Sequence, residues 1–273
     1  MSKTPLVICL ALLGSFLSGA PALAQDATAS SDAAIPIADR SPTLHAGGLE
    51  LHGSLPIFSE SGLGGDRLIL GGVGGAFGFS DDVQLGADYA FEVSPDTDAA
   101  GVLAAHGLFR IAHGGQTSAA LGAGVLYSHA VDGIAFAGGL NLRIRLNQQV
   151  SIFSNTSGIP LCGSCLQLLG PVTGQLFIAH PNDGGDNLVV LNLPIGLGIQ
   201  ATPELYLFGE TVIATVLLSP ETDSVAEFDD YIGLHAGAWI SASKQLDIGA
   251  GLGLDLKDAG DDYLFELRAR LFL

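Results

Sequence analysis

The chain has 273 residues, of which 48% are hydrophobic and only 14% charged, with 38 glycines and a mean hydropathy of +0.45. That is too apolar for intrinsic disorder, and the glycine content disfavours an all-helical soluble fold, since each helical Gly costs about 1 kcal/mol relative to Ala. Acidic residues outnumber basic ones 28 to 10, a net charge of −18 that would repel a phosphate backbone, so nucleic acid is excluded as a partner.

The first 24 residues place Lys3 ahead of an apolar stretch from Leu6 to Leu17 and end in Ala22-Leu23-Ala24. This is the anatomy of a secretory signal peptide, with cleavage expected after Ala24. The apolar stretch is short for a membrane-spanning helix and ends at Ser18, Gly19 and Pro21. Cys9 lies at the front of that stretch, where a lipid-modified cysteine would not, and leaves with it. Residues 25 to 45 are rich in Ala, Ser, Asp and Pro without helical or strand period, and are expected to form a flexible periplasmic lead-in.

From 46 to 273 the dominant signal is alternation, which sends successive side chains to opposite faces of a strand. Strands are expected at 46–55, 67–79, 83–93, 100–113, 117–127, 133–146, 150–156, 188–200, 205–218, 231–241, 246–256 and 263–273. In 83–93, Val83, Leu85, Ala87, Tyr89, Phe91 and Val93 share one face, and Gln84, Gly86, Asp88, Ala90 and Glu92 the other. In 246–256 the apolar Leu246, Ile248, Leu252 and Leu254 oppose Asp247, Gly249, Gly251, Gly253 and Asp255. Short polar turns, as at 80–82, 114–116, 147–149, 202–204 and 243–245, alternate with longer acidic connections. Between Leu146 and Asn182 there is no Asp, Glu, Lys or Arg, but Gly163, Gly170, Pro171 and Gly174 argue against a transmembrane helix. Alternation of ends demands an even strand count, so 157–187 is read as one long external excursion and the total as twelve, with ten or fourteen as neighbouring solutions.

Short turns on one side, long loops on the other, and strands of membrane-crossing length describe an all-β, closed, antiparallel up-and-down transmembrane barrel over 46–273. A soluble sandwich has the same period. The export signal, the small residues on the less apolar face and the last strand's position favour the barrel. The signal, the alternating strands and the C-terminal YLFELRARLFL resemble the bacterial outer-membrane β-barrel families, small porin-like and OmpA-like barrels. The resemblance implies insertion by the barrel-insertion machinery, outer-membrane lipids as surroundings and a Gram-negative outer membrane as the location, with no peptidoglycan-binding domain after the last strand. The terminal signal in such barrels usually ends in an aromatic residue, whereas here Phe272 is penultimate.

Charges on the inward phase are the candidate functional residues, because a charge facing lipid is costly. Arg110, Arg143, Arg145, Arg268 and Arg270 fall near the short-turn ends of their strands, with Asp88 and Glu92 midway or beyond. They form either a basic constriction favouring anions or a set of lumen salt bridges with Asp247 and Glu266 as partners. His52, His106 and His235 are read as polar lumen fillers. Cys162 and Cys165 are expected to close a small disulfide, since no thioredoxin-like unit or zinc ligand set surrounds them. Ser128-His129 and Phe153-Ser154-Asn155 lack the spacing of a hydrolase site, so no catalytic residue, metal or cofactor is expected. The function expected is a narrow passive pore for small solutes, the abundance of inward Gly, Ala and Ser suggesting an open lumen. The alternative is a non-conducting barrel acting through its acidic external loops.

Overall fold

The computed structural model describes residues 35–59, 67–94, 101–128, 133–154, 176–181, 188–218, 227–228, 233–255 and 263–273. Its strands are β1 (Leu49–Ser59), β2 (Arg67–Ser80), β3 (Val83–Ser94), β4 (Val102–Gly114), β5 (Thr117–Ser128), β6 (Gly133–Arg145), β7 (Val150–Ser154), β8 (Leu176–Pro181), β9 (Leu188–Gln200), β10 (Leu205–Leu218), β11 (Glu227–Phe228), β12 (Gly233–Ser241), β13 (Leu246–Asp255) and β14 (Tyr263–Phe272). All neighbouring strands pair antiparallel, and β14 pairs with β1 from Glu50↔Phe272 to Ser59↔Tyr263, so the sheet closes on itself. Twelve strand positions make up the wall, because β7 and β8 share one of them; β11 adds a two-residue pairing at the far end of β10.

The shared position corrects the expected excursion over 157–187. β7 pairs with β6 at Leu142–Arg145 and with β9 at Gly196–Ile199, while β8 pairs with β6 at Gly133–Gly138 and with β9 at Leu188–Leu191. Residues 176–181 are therefore the upper half of the strand that 150–154 begins. The physical reason lies in the neighbours: β6 and β9 each run for 13 residues, and a five-residue β7 alone would leave their upper ladders without partners inside an apolar environment. At the interruption, Leu140, Leu142, Ile152, Leu193 and Ile195 help frame an apolar hollow of about 650 Å³.

Burial settles which face is which. Leu85, Val73, Phe136, Leu193, Ile213 and Leu252 stand on the exposed phase, while Gln84, Asp88, His106, Glu210, Asp247 and Glu266 are buried. The apolar face is outside and the polar face inside, the inverse of a soluble sandwich.

The inner face also explains the glycines. A Cβ on Gly74 would collide with Asp88 and His52, on Gly86 with His106, on Gly249 with Trp239, on Gly251 with His235 and on Gly198 with Tyr206. Small inward residues thus leave room for large inward side chains of adjacent strands. Each of these glycines makes room for a neighbour and does not by itself mark empty space.

Candidate functional site

Inward side chains line the lumen at three levels, and at the short-turn end the chain's own N-terminal residues cross it. From Ile35 onward, the segment expected to be a flexible lead-in runs a fixed course across the mouth. Pro36 starts a short 3-10 turn, Ile37–Asp39. Ile37 and Ala38 pack with Tyr206 and Trp239, and Leu44 packs with Ala76 and Phe272, so the segment spans strands on opposite sides of the barrel. It leaves the mouth at Gly47, whose φ of +80° is a left-handed conformation suited to Gly, and passes Gly78, where a Cβ would strike the His45 carbonyl.

Polar groups fix this segment. Arg40 is fully buried, ion-paired with Asp247, bonded to Ser241 Oγ at 2.9 Å, and stacked 5.3 Å from the Phe272 ring centroid. Its backbone neighbours are also satisfied: Ala38 N–H donates to Gln200 Oε1 and Leu44 N–H to Gln84 Oε1, both at 3.0 Å. From the wall, Arg143 donates to the carbonyls of Ile37, at 2.7 Å, and of Arg40. Arg145 donates to the Ala38 carbonyl at 3.1 Å and pairs with Asp39 at 2.5 Å, and Arg110 reaches Ser41 Oγ at 3.2 Å while pairing with Asp82. Three of the five arginines anticipated as a constriction therefore grip the segment across the mouth.

The second level is a belt of buried charged and polar side chains that runs from just inside the short-turn end to mid-height. On β1, each ring nitrogen of His52 faces a carboxylate: Nδ1 lies 3.0 Å from Glu50 and Nε2 2.5 Å from Asp88. Asp88 in turn lies 3.0 Å from His106 Nδ1 on β4. Across β14 the belt continues with Arg268 paired to Glu266, and His235 Nδ1 2.9 Å from Glu210. Arg270 lies 3.3 Å from Asp247 and 3.8 Å from the centroid of the Trp239 ring. The anticipated salt-bridge partners Asp247 and Glu266 are thus engaged, each with at least one arginine. Among the described residues, no three His, Cys, Asp or Glu side chains converge as metal ligands.

The third level, toward the long loops, is apolar. Leu70, Leu126, Phe177, Val190 and Leu264 project inward and are nearly or wholly buried.

Sequence reasoning found the five arginines and Asp88, Asp247 and Glu266 but missed Glu50, Glu210, Arg40 and the packed segment. Arg40 was the available signal, a single basic residue among Asp, Ala, Ser and Pro. Glu92 pairs with Leu70 in the β3–β2 ladder, and its side chain lies outside the described residues, as do Cys162, Cys165, His129, Asn155 and most of the acidic loop residues. Ser154 Oγ donates to the Pro194 carbonyl at 3.0 Å.

No family model matches the chain, and no curated protein matches it. Among solved structures, it is similar to "KdgM porin in complex with disordered oligogalacturonate", with 5% identity, 81% of this chain and 98% of that chain covered, and a TM-score of 0.51. A NanC porin structure shows 6% identity, 82% and 98% coverage, and a TM-score of 0.50. At such identities the likeness is one of fold: the wall is a closed antiparallel β-barrel like theirs.

Proposed function

We propose that the chain is an outer-membrane channel for small solutes, closed in this conformation at its short-turn mouth by residues 35–46. The observation that carries this reading is the belt of buried charges inside a closed wall whose outer face is apolar. A barrel stabilised only as a structural shell has no need to enclose Glu50, His52, Asp88, Glu210 and Glu266, each costly to desolvate. Short turns face the periplasm in such barrels, so the N-terminal segment enters from that side and the acidic loops face outward. Outer-membrane lipids cover the apolar face, and β14 supplies the strand for the insertion machinery.

Closure rests on noncovalent contacts and a glycine turn, so the segment can leave without unfolding the wall. In planar bilayers the refolded mature protein is expected to conduct rarely. A variant lacking residues 35–46 is expected to open steadily, provided it still shifts on a gel when boiled. A folded variant without conductance would support the alternative, a non-conducting structural barrel.

A further inference from the structure

We propose that Arg143 and Arg145 form a carboxylate-binding site that the N-terminal segment occupies as an internal stand-in, so that an anionic solute bearing a carboxylate opens the mouth by competing for it. The inference rests on the channel reading above and adds the ligand class and the means of opening.

Arg143 directs its two terminal nitrogens, Nη1 and Nη2, at two oxygens, the carbonyls of Ile37 and Arg40. A guanidinium fork offering two parallel N–H groups matches the two oxygens of one carboxylate, which also brings the opposite charge that a carbonyl lacks. Here the fork is met by two neutral carbonyls, and among the described residues no ion pair compensates the Arg143 charge. One turn of backbone thus imitates a carboxylate in shape and lacks its charge.

Arg145, two residues along the same strand, holds a real carboxylate, that of Asp39, and the Ala38 carbonyl beside it. The segment therefore presents one carboxylate and three carbonyls to two adjacent guanidiniums. Gln200 and Gln84 bind the segment through its backbone N–H groups, Asp247 holds Arg40, and Arg110, which reaches Ser41, already pairs with Asp82, so Arg143 is the cation of the clamp that meets only neutral acceptors. An incoming carboxylate pairs with Arg143 at no cost in unpaired acceptors, because the released carbonyls of Ile37 and Arg40 meet water once the segment moves.

Opening is read by the accessibility of the segment itself. In a variant carrying Cys162→Ser and Cys165→Ser, Ala38→Cys places a thiol at a position now buried in a cluster with Ile37, Tyr206 and Trp239. The probe is sodium gluconate, compared with sodium chloride at equal ionic strength and with glucose. Gluconate is expected to accelerate labelling of the introduced thiol by a membrane-impermeant maleimide several-fold, while chloride and glucose leave the rate unchanged. In the same background, Arg143→Gln is expected to label faster without any additive and to lose the gluconate response. Arg143→Lys, which keeps the charge and lacks the fork, is expected to retain folding and only a fraction of the response. Equal rates in gluconate and chloride, or an undiminished gluconate response in Arg143→Gln, would overturn the proposal. The channel reading is tested separately by conductance of the variant lacking 35–46, so a silent barrel whose introduced thiol still responds to gluconate would remove the channel and keep the site.

Discussion

At the scale of single residues, the most consequential contact is the buried pair of Arg40 and Asp247, because neither partner reaches water. Removing one member of such a pair leaves an uncompensated charge and typically costs about 3–5 kcal/mol, more than the pair itself contributes. The two members are not equivalent. Asp247 has a second guanidinium, Arg270, at 3.3 Å, whereas Arg40 finds no other carboxylate among its described ion pairs. Arg40→Ala leaves Asp247 with a partner, and Arg40 belongs to a segment that can detach. Asp247→Ala removes the ion-pair partner that the described residues give both buried guanidiniums, Arg40 and Arg270. Urea unfolding in lipid vesicles is expected to show Asp247→Ala losing roughly 3–5 kcal/mol and Arg40→Ala less than half of that. Equal losses would mean that Arg270 does not share the Asp247 carboxylate. By the same logic, Arg40→Ala is expected to raise channel opening at little expense to the barrel.

At the scale of elements, strands were legible and the segment that closes them was not. Period-two alternation places β2 to β6, β9, β10 and β12 to β14 within a few residues of where they lie, because the membrane and the lumen impose opposite demands on successive side chains. The split strand β7/β8 was obscured, since six residues, LFIAHP, carry too little alternation to be told from a loop; only the unpaired upper halves of β6 and β9 require them. Residues 35–46 have no period at all, because their partners are scattered over β3, β4, β6, β9 and β13 and dictate no spacing along the segment. Inward glycines were ambiguous for a related reason: a missing side chain reads as space, although a neighbouring strand can fill it. Gly249→Val is accordingly expected to displace Trp239 and, with it, the Arg270 stacking, costing about 1–3 kcal/mol as overpacking. Gly209→Ala, where a Cβ meets nothing within 4 Å, is expected to be neutral or slightly stabilising. If both substitutions cost the same in urea unfolding, the inward glycines are not making room for their neighbours.

At the scale of the whole molecule, alternation alone does not say which face the solvent sees, and burial answers in favour of the membrane. The outer surface presents Leu, Ile, Val and Phe from every long wall strand, while ion pairs lie inside, an arrangement that only a lipid surround stabilises. Closure of β1 on β14 removes the free edge that such a sheet would otherwise expose, so the backbone is satisfied as well as the side chains. The sharpest consequence falls on Leu252, 46% exposed in the middle of β13. On a soluble protein, replacing an exposed Leu by Arg changes stability by about 0.5 kcal/mol or less. Within a bilayer, Arg at mid-depth costs about 2–4 kcal/mol and falls to about 0–1 kcal/mol near the interface. Leu252→Arg is therefore expected to destabilise the refolded protein in vesicles by several-fold more than Leu273→Arg, which stands at the short-turn rim with 58% exposure. The comparison controls for chemistry, since both replace an exposed Leu by the same charge and differ in depth alone. A small and equal effect at the two positions would place the apolar face in water and overturn the membrane assignment, whatever the shape of the wall.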